Sequence, residues 1–253
     1  STIEHYISDS CLDNMQIKCL PDKGIAVAVI GSGAAGLAGA IQLARLGYRV
    51  TIFDSKDRIG GVMQYGIPEF RLPKSILERF KDKLLALGVR IRLNTTIGNA
   101  LRIDNLFRDD YRAVFIGTGV WRPRTLGVKG ESRGNVLFGI DYLANPRQHN
   151  LGQTVAIIGL GDTAMDVART SLRHGAQHVT LYGRTNRIGA STEQMNYTQL
   201  DGAEFEFGKQ ILEINEQGPL FRQLILDENG SACGELPELL QVQADSVIIA
   251  VSQ

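Results

Sequence analysis

Cysteine is scarce in this chain: Cys11, Cys19 and Cys233 are the only three in 253 residues. The count is odd and no C-x-x-C pair occurs. A disulfide framework, a zinc site of the usual spacing and a dithiol redox centre are therefore excluded. Free thiols fit a reducing, cytoplasmic setting. Long apolar runs are missing as well, and none approaches the ~20 residues of a membrane-spanning helix. The first residues, STIEHYISDS, lack the basic segment and apolar core of a secretory leader. Nor does one sign of charge dominate: Lys+Arg and Asp+Glu both number 27, so no overall field draws the protein to nucleic acid or a membrane surface. The four histidines, His5, His149, His174 and His178, have no triad-like context. No catalytic acid–base residue and no metal ligand is assigned.

Glycine, in contrast, is plentiful at 28 residues, in a chain whose 43% hydrophobic content supports a buried core. Glycines gather where backbone turns with positive φ or approaches a ligand closely. Two of the clusters sit in a repeated unit. IAVAVIGSGAAGLAGAIQLARLGYRVTIFD and TVAIIGLGDTAMDVARTSLRHGAQHVTLYG each read as apolar strand, glycine turn, helix and second strand. Around them the pattern predicts a helix over 74–87, strands at 89–93 and 112–119, and short strands in AEFEFG and LFRQLIL with a turn in DENGSACG. Alternating strands and helices predict an α/β fold: two Rossmann-like dinucleotide-binding domains with mostly parallel sheets.

In the first unit Gly31, Gly33 and Gly36 form G-x-G-x-x-G. The first allows the tight turn, the second lets a pyrophosphate reach the backbone, and the third lets helix and strand pack closely. Backbone N–H groups at the helix start, Ala34 and Ala35, face the phosphates with the favourable end of the helix dipole. Asp54 ends the next strand, where a carboxylate accepts hydrogen bonds from ribose hydroxyls. The second unit has Gly159, Gly161 and Ala164, with Asp162 and Thr163 at the helix start. Its strand, 178–182, ends in Gly183 where the first unit has Asp54. Loss of the carboxylate removes repulsion against a 2′-phosphate, and Arg184 and Arg187 can supply forked, charge-assisted hydrogen bonds to it. One acidic and one basic strand end predict two different dinucleotides: FAD or NAD on the first unit, NADP(H) on the second. A hydride donor beside a flavin makes a working redox pair.

The strings VIGSGAAGLAGAIQLARLGYRVTIFD, IGGVMQYGIPEFRLPK and VAIIGLGDTAMDVART resemble the glutamate synthase small subunit and the flavin half of dihydropyrimidine dehydrogenase. The resemblance runs from Ile3 to Gln253, and YGIPEFRLPK is its most specific string. It implies FAD on the first domain and NADP(H) on the second, the second inserted in the first. Residues 1–24 would be a linker following an iron–sulfur domain that the chain lacks. The FAD domain would cover 25–127, the NADP(H) domain 128–245, and a return to the FAD domain would begin near 246. By the same resemblance Gly60, Gly61, Val62 and Arg71 lie along the flavin, and Ile97 contacts adenine through its backbone. Gly117, Thr118 and Gly119 form the crossover close to both cofactors. Where the family has two adjacent arginines after the tyrosine of the second unit, this chain has Gly183 and Arg184. The family's later Gly-Asp segment would fall beyond Gln253.

The expected function is an NADPH-dependent flavin oxidoreductase module that passes electrons to iron–sulfur centres or a larger catalytic subunit. A non-catalytic dinucleotide-binding or assembly domain of a larger complex is the alternative. A self-contained disulfide reductase would need a cysteine pair, and a flavin monooxygenase is disfavoured by the resemblance of YGIPEFRLPK.

Overall fold

The computed structural model describes residues 2–11, 17–98 and 101–251. The chain divides into two compact units: up to Gln64 with Glu69–Gly119, and Tyr65–Pro68 with everything from Val120 on. The break after Gly119 precedes the expected boundary at 127. Residues 126–130 already belong to the second unit, where Ile214 donates its N–H to the Lys129 carbonyl at 2.8 Å.

In the first unit α1 (Thr2–Cys11) comes first. Residues 17–24 then lie along the turn between α2 (Ala34–Arg45) and β2 (Arg49–Phe53). Leu20 and Lys23 donate backbone N–H groups to Arg45 and Gly47, and Asp22 pairs with Arg49 at 2.7 Å. The unit continues with β1 (Ala26–Ile30), α3 (Val62–Tyr65), α4 (Ser75–Ala86), β3 (Arg90–Arg92), α5 (Ile103–Arg108) and β4 (Tyr111–Ile116), giving a parallel sheet in the order β3-β2-β1-β4. β1 is buried on both faces, which suits an unbroken apolar run, AVAVI, covered on one side by the small residues of α2. Val29, Ile52, Leu37 and Ala40 meet there.

The second unit opens with β5 (Val136–Phe138), α6 (Gly139–Ala144), β6 (Thr154–Ile158), α7 (Asp162–Arg173), β7 (His178–Tyr182), α8 (Thr192–Leu200) and β8 (Glu204–Glu206). An antiparallel sheet follows, built from β9 (Lys209–Ile214), β10 (Pro219–Leu226) and β11 (Ala232–Gln241). β12 (Ser246–Ile249) closes the chain. The parallel sheet runs β5-β12-β6-β7-β8. Helices α6 and α7 cover one face, with Tyr142, Met165 and Leu181 in the core. The antiparallel sheet covers the other through Ile214 and Phe221, and Phe221 stacks on Tyr182 with ring centroids 4.7 Å apart.

β12 corrects one expectation. The strand beginning at 246 does not return to the first unit; it is a central strand of the second, in register with β6 on one side and β5 on the other. All four of its residues are buried. A strand paired along both edges and covered on both faces favours an apolar run, and Val247, Ile248 and Ile249 supply it after the small, buried Ser246.

Candidate functional site

Each parallel sheet carries a glycine turn at the carboxyl end of an interior strand, β1 or β6, the place where open α/β sheets bind ligands. The two turns have the same backbone. Gly31 donates its N–H to the Phe53 carbonyl at 2.8 Å, and Gly159 donates to Tyr182 at 3.0 Å. Gly31 has φ +97° and Gly159 φ +137°, a region that favours glycine. A side chain at Gly31 would run into the Gly117 carbonyl, its Cβ 2.8 Å from the carbonyl carbon; at Gly159 it would meet the Ala250 carbonyl at the same 2.8 Å. Gly117 and Ala250 are themselves equivalent, each donating its N–H to the last residue of the strand before the turn, Ile30 of β1 or Ile158 of β6, at 2.8 Å. The 117–119 segment therefore lies directly beside the first glycine turn, with Thr118 and Gly119 exposed.

The helix starts fit an anion. Gly33 is the N-cap of α2 and Gly161 that of α7, and neither helix has a side-chain cap. The first N–H groups of a helix have no intrahelical acceptor. Those of the first unit belong to exposed Ala34 and Ala35 and to buried Gly36, whose Cβ would collide with the Gly31 carbonyl. Those of the second belong to exposed Asp162 and Thr163 and to buried Ala164. Space is open above both caps: a Cβ on Gly33 would find only Gly61 Cα at 4.0 Å, and one on Gly161 would find nothing within 4 Å. These cradles offer the donors and the room that an anion such as a pyrophosphate requires.

A second repeat, unnoticed in the sequence, borders both cradles. Arg58-Ile59-Gly60-Gly61 and Arg187-Ile188-Gly189-Ala190 return to their turns in the same way: Gly60 donates to the Ser32 carbonyl at 2.8 Å and Gly189 to the Leu160 carbonyl at 3.0 Å. The signal was a shared R-I-G at matching distances from the two turns. Gly61 comes so close to Gly33 that its Cβ would lie 2.8 Å from Gly33 Cα, and Gly189 approaches Gly161 at 3.8 Å on the same measure. Val62 follows as an exposed residue opening α3. Arg71 is half-buried before α4 and already engaged by its neighbours. Ile97 forms an isolated bridge with Leu101 and packs on the Phe53 cluster, one strand end away from Asp54.

At the strand ends the units part. Asp54 donates its N–H to Arg92 at 2.9 Å, as Gly183 does to Glu206 at 2.9 Å, so the two positions are equivalent. Asp54 Oδ2 accepts from the Ser32 N–H at 2.6 Å and from the Ser32 hydroxyl, while Oδ1 accepts from the Lys56 N–H at 2.9 Å. The half-buried carboxylate binds the turn of its own unit and keeps acceptor capacity for a hydroxyl. Gly183 is buried, and the residue at the Ser32 position is Leu160, also buried. Beyond Gly183, Arg184 is exposed with no hydrogen bond or ion pair among the described residues. Arg187 differs: its guanidinium donates to Ser231 Oγ at 3.4 Å, in the β10–β11 turn, and the Asn186 N–H reaches the Gly230 carbonyl at 3.3 Å. Charge on this loop is thus split between a free arginine and a tethered one.

Behind the cradle, α7 and α8 are clamped. Asp201 accepts from Arg169 at 2.8 Å and from Arg173 at 2.6 Å, and Arg169 lies over the Tyr197 ring. Burial raises the pKa of Asp201, but the Arg173 and Arg169 hydrogen bonds prevail and hold it below the usual carboxylate value. The three cysteines are exposed and free. Among the described residues no group of three or more His, Cys, Asp or Glu could hold a metal ion, and no helix is long and apolar enough to cross a membrane.

A family model described as pyridine nucleotide-disulphide oxidoreductase matches residues 25–252. AegA of Escherichia coli (strain K12), an oxidoreductase by name, is 39% identical over 240 residues, covering 85% of this chain and 36% of that protein. The glutamate synthase [NADPH] small chain of the same organism is 34% identical over 235 residues, covering 85% and 50%. The chain thus spans half or less of the length of these relatives. In fold it matches Mycobacterium tuberculosis FprA in complex with NADPH, with a TM-score of 0.74 at 18% identity over 91% of this chain and 70% of that one.

Proposed function

The chain belongs to the pyridine nucleotide-disulphide oxidoreductase family, and from that membership we propose that it is an NADPH-dependent flavin oxidoreductase module. The first unit takes FAD and the second NADP(H). When bound together, the pair supplies a hydride donor and a flavin that accepts it. The chain's own residues position and shield them, which such a transfer needs more than a side-chain acid or base.

The contrast of strand ends carries this reading. Asp54 in the first unit suits the ribose hydroxyls of FAD; Gly183 with exposed Arg184 in the second suits a 2′-phosphate. Around FAD the residues are Gly31, Gly33, Gly36 and Asp54, then Gly60, Gly61, Val62 and Arg71, with Ile97 near adenine and 117–119 at the crossover. Gly159, Gly161, Asp162, Thr163 and Ala164 hold the pyrophosphate of NADPH, and Arg184 with Arg187 its 2′-phosphate. Electrons leave for an iron–sulfur domain or a larger catalytic subunit, as the similarity to a glutamate synthase small chain suggests. Three exposed free thiols fit a cytoplasmic home.

The test is a visible absorption spectrum after gel filtration with added FAD, repeated anaerobically with NADPH and then NADH. The reading expects a retained flavin band bleached faster by NADPH. A colourless protein that still binds nucleotide would favour a binding or assembly domain instead.

A further inference from the structure

Gly183 is held by more than the absence of selection for an acid. Its N–H is bonded to the Glu206 carbonyl and its carbonyl to the Lys209 N–H, both at 2.9 Å, so the backbone cannot move away from the turn. The space in which its Cβ would stand is taken. Leu160 Cγ would lie 2.8 Å from it, Leu160 Cδ1 closer still, and the Thr185 carbonyl oxygen at 3.0 Å. Leu160 is itself buried in the core with Leu181 and Ala164. In the first unit the equivalent pair is Ser32 and Asp54, a small hydroxyl residue that makes room for a carboxylate and hydrogen-bonds it. The two pairs are therefore alternatives: small and polar under an acid, or large and apolar under glycine.

We propose that Leu160 is a specificity-determining residue for the nucleotide of the second unit. Its side chain fills the volume that a strand-end carboxylate requires. This holds the site in the form that accepts a 2′-phosphorylated adenine dinucleotide, and of changes at these two positions only the joint exchange of Leu160 and Gly183 shifts preference toward the unphosphorylated one. The proposal rests on the second unit's binding NADP(H). No contact between Leu160 and the nucleotide is needed; it acts by excluding the competing side chain.

The experiment compares the full chain with Gly183→Asp, Leu160→Ser and the double variant, by thermal melting and by calorimetric titration of NADP+ and NAD+. Gly183→Asp alone should lower Tm by several degrees and fail to gain NAD+ affinity. Leu160→Ser with Gly183→Asp should recover part of the loss and shift preference toward NAD+ by at least about tenfold, since a buried carboxylate satisfied by a serine then faces the ribose. Should Gly183→Asp not fold, Gly183→Ala made in wild-type and Leu160→Ala backgrounds replaces it. The single Cβ should lower Tm in the first background and much less in the second. Equal losses in both, or a Gly183→Asp protein that melts like wild type and matches the double variant's preference, would overturn the proposal while leaving NADP+ selectivity intact. A wild type that binds NADP+ and NAD+ equally would overturn the underlying reading and the proposal with it.

Discussion

The two glycine turns share a backbone and differ by an exchange of two side chains. In the first unit Ser32 and Asp54 tie the turn to the strand end by hydrogen bonds to a carboxylate, each worth about 1.5–3 kcal/mol. In the second, Leu160 fills the same space with hydrocarbon against Gly183, and the charge moves out to Arg184. The helices behind the turns differ in the same sense. α2 carries one charged residue, Arg45, and packs through alanine and leucine. α7 carries Asp162, Asp166, Arg169 and Arg173 and is clamped to α8 through Asp201. One scaffold thus presents two electrostatic faces, because the side chains that differ are ones the sheet does not need for its own pairing.

The strongest way to break the comparison is to attack what the units share. Gly31→Val and Gly159→Val each place a β-branched side chain at positive φ against a carbonyl, and each should cost about 3 kcal/mol in denaturant melts. A loss under about 1 kcal/mol at either site would show that the two turns are not equivalent. Asp201 tests what only the second unit has. Asp201→Asn removes the carboxylate charge to which largely buried Arg169 and half-exposed Arg173 both donate and should cost about 2 kcal/mol. The folded pKa of Asp201 lies below its unfolded value. Its contribution is therefore complete above the unfolded value of about 3.9 and is lost as pH falls through the folded one. Wild type and variant should converge in stability at low pH, and a difference that persists there would remove the ion pair from the account.

Smaller effects sharpen the ligand contrast. Arg184→Ala should weaken NADPH binding by about 1–3 kcal/mol, leave NADH nearly unchanged and leave Tm alone, because the side chain is exposed and makes no hydrogen bond or ion pair among the described residues. Arg187→Ala should weaken NADPH by under about 1 kcal/mol, since its guanidinium is partly committed to Ser231. The reverse order would move the phosphate reader from the first arginine to the second.

Much of this was legible because it is written in local periodicity. The strand at 178–182, the helix near 75–86 and the two glycine turns follow from apolar runs and from residues with special φ. Equivalence of Asp54 and Gly183 was legible by counting from the turns. Three features were not. β12 looked like the start of a return because an apolar strand does not say which sheet it enters; pairing with β5 and β6 is a long-range choice. Leu160 passed as a neutral x in G-x-G, since nothing in the string tells that its side chain meets Gly183 23 residues on (183 minus 160). The tether of Arg187 depends on a β-turn at 227–231 whose approach to the loop is tertiary.

The central claim is that the strand end of the second unit reads a 2′-phosphate. Calorimetric titration of the full chain with adenosine 2′,5′-bisphosphate and with adenosine 5′-monophosphate tests it without flavin or turnover. The account predicts that the bisphosphate binds at least about tenfold more tightly and that Arg184→Ala removes most of that difference. Equal affinities in the wild-type protein would contradict it.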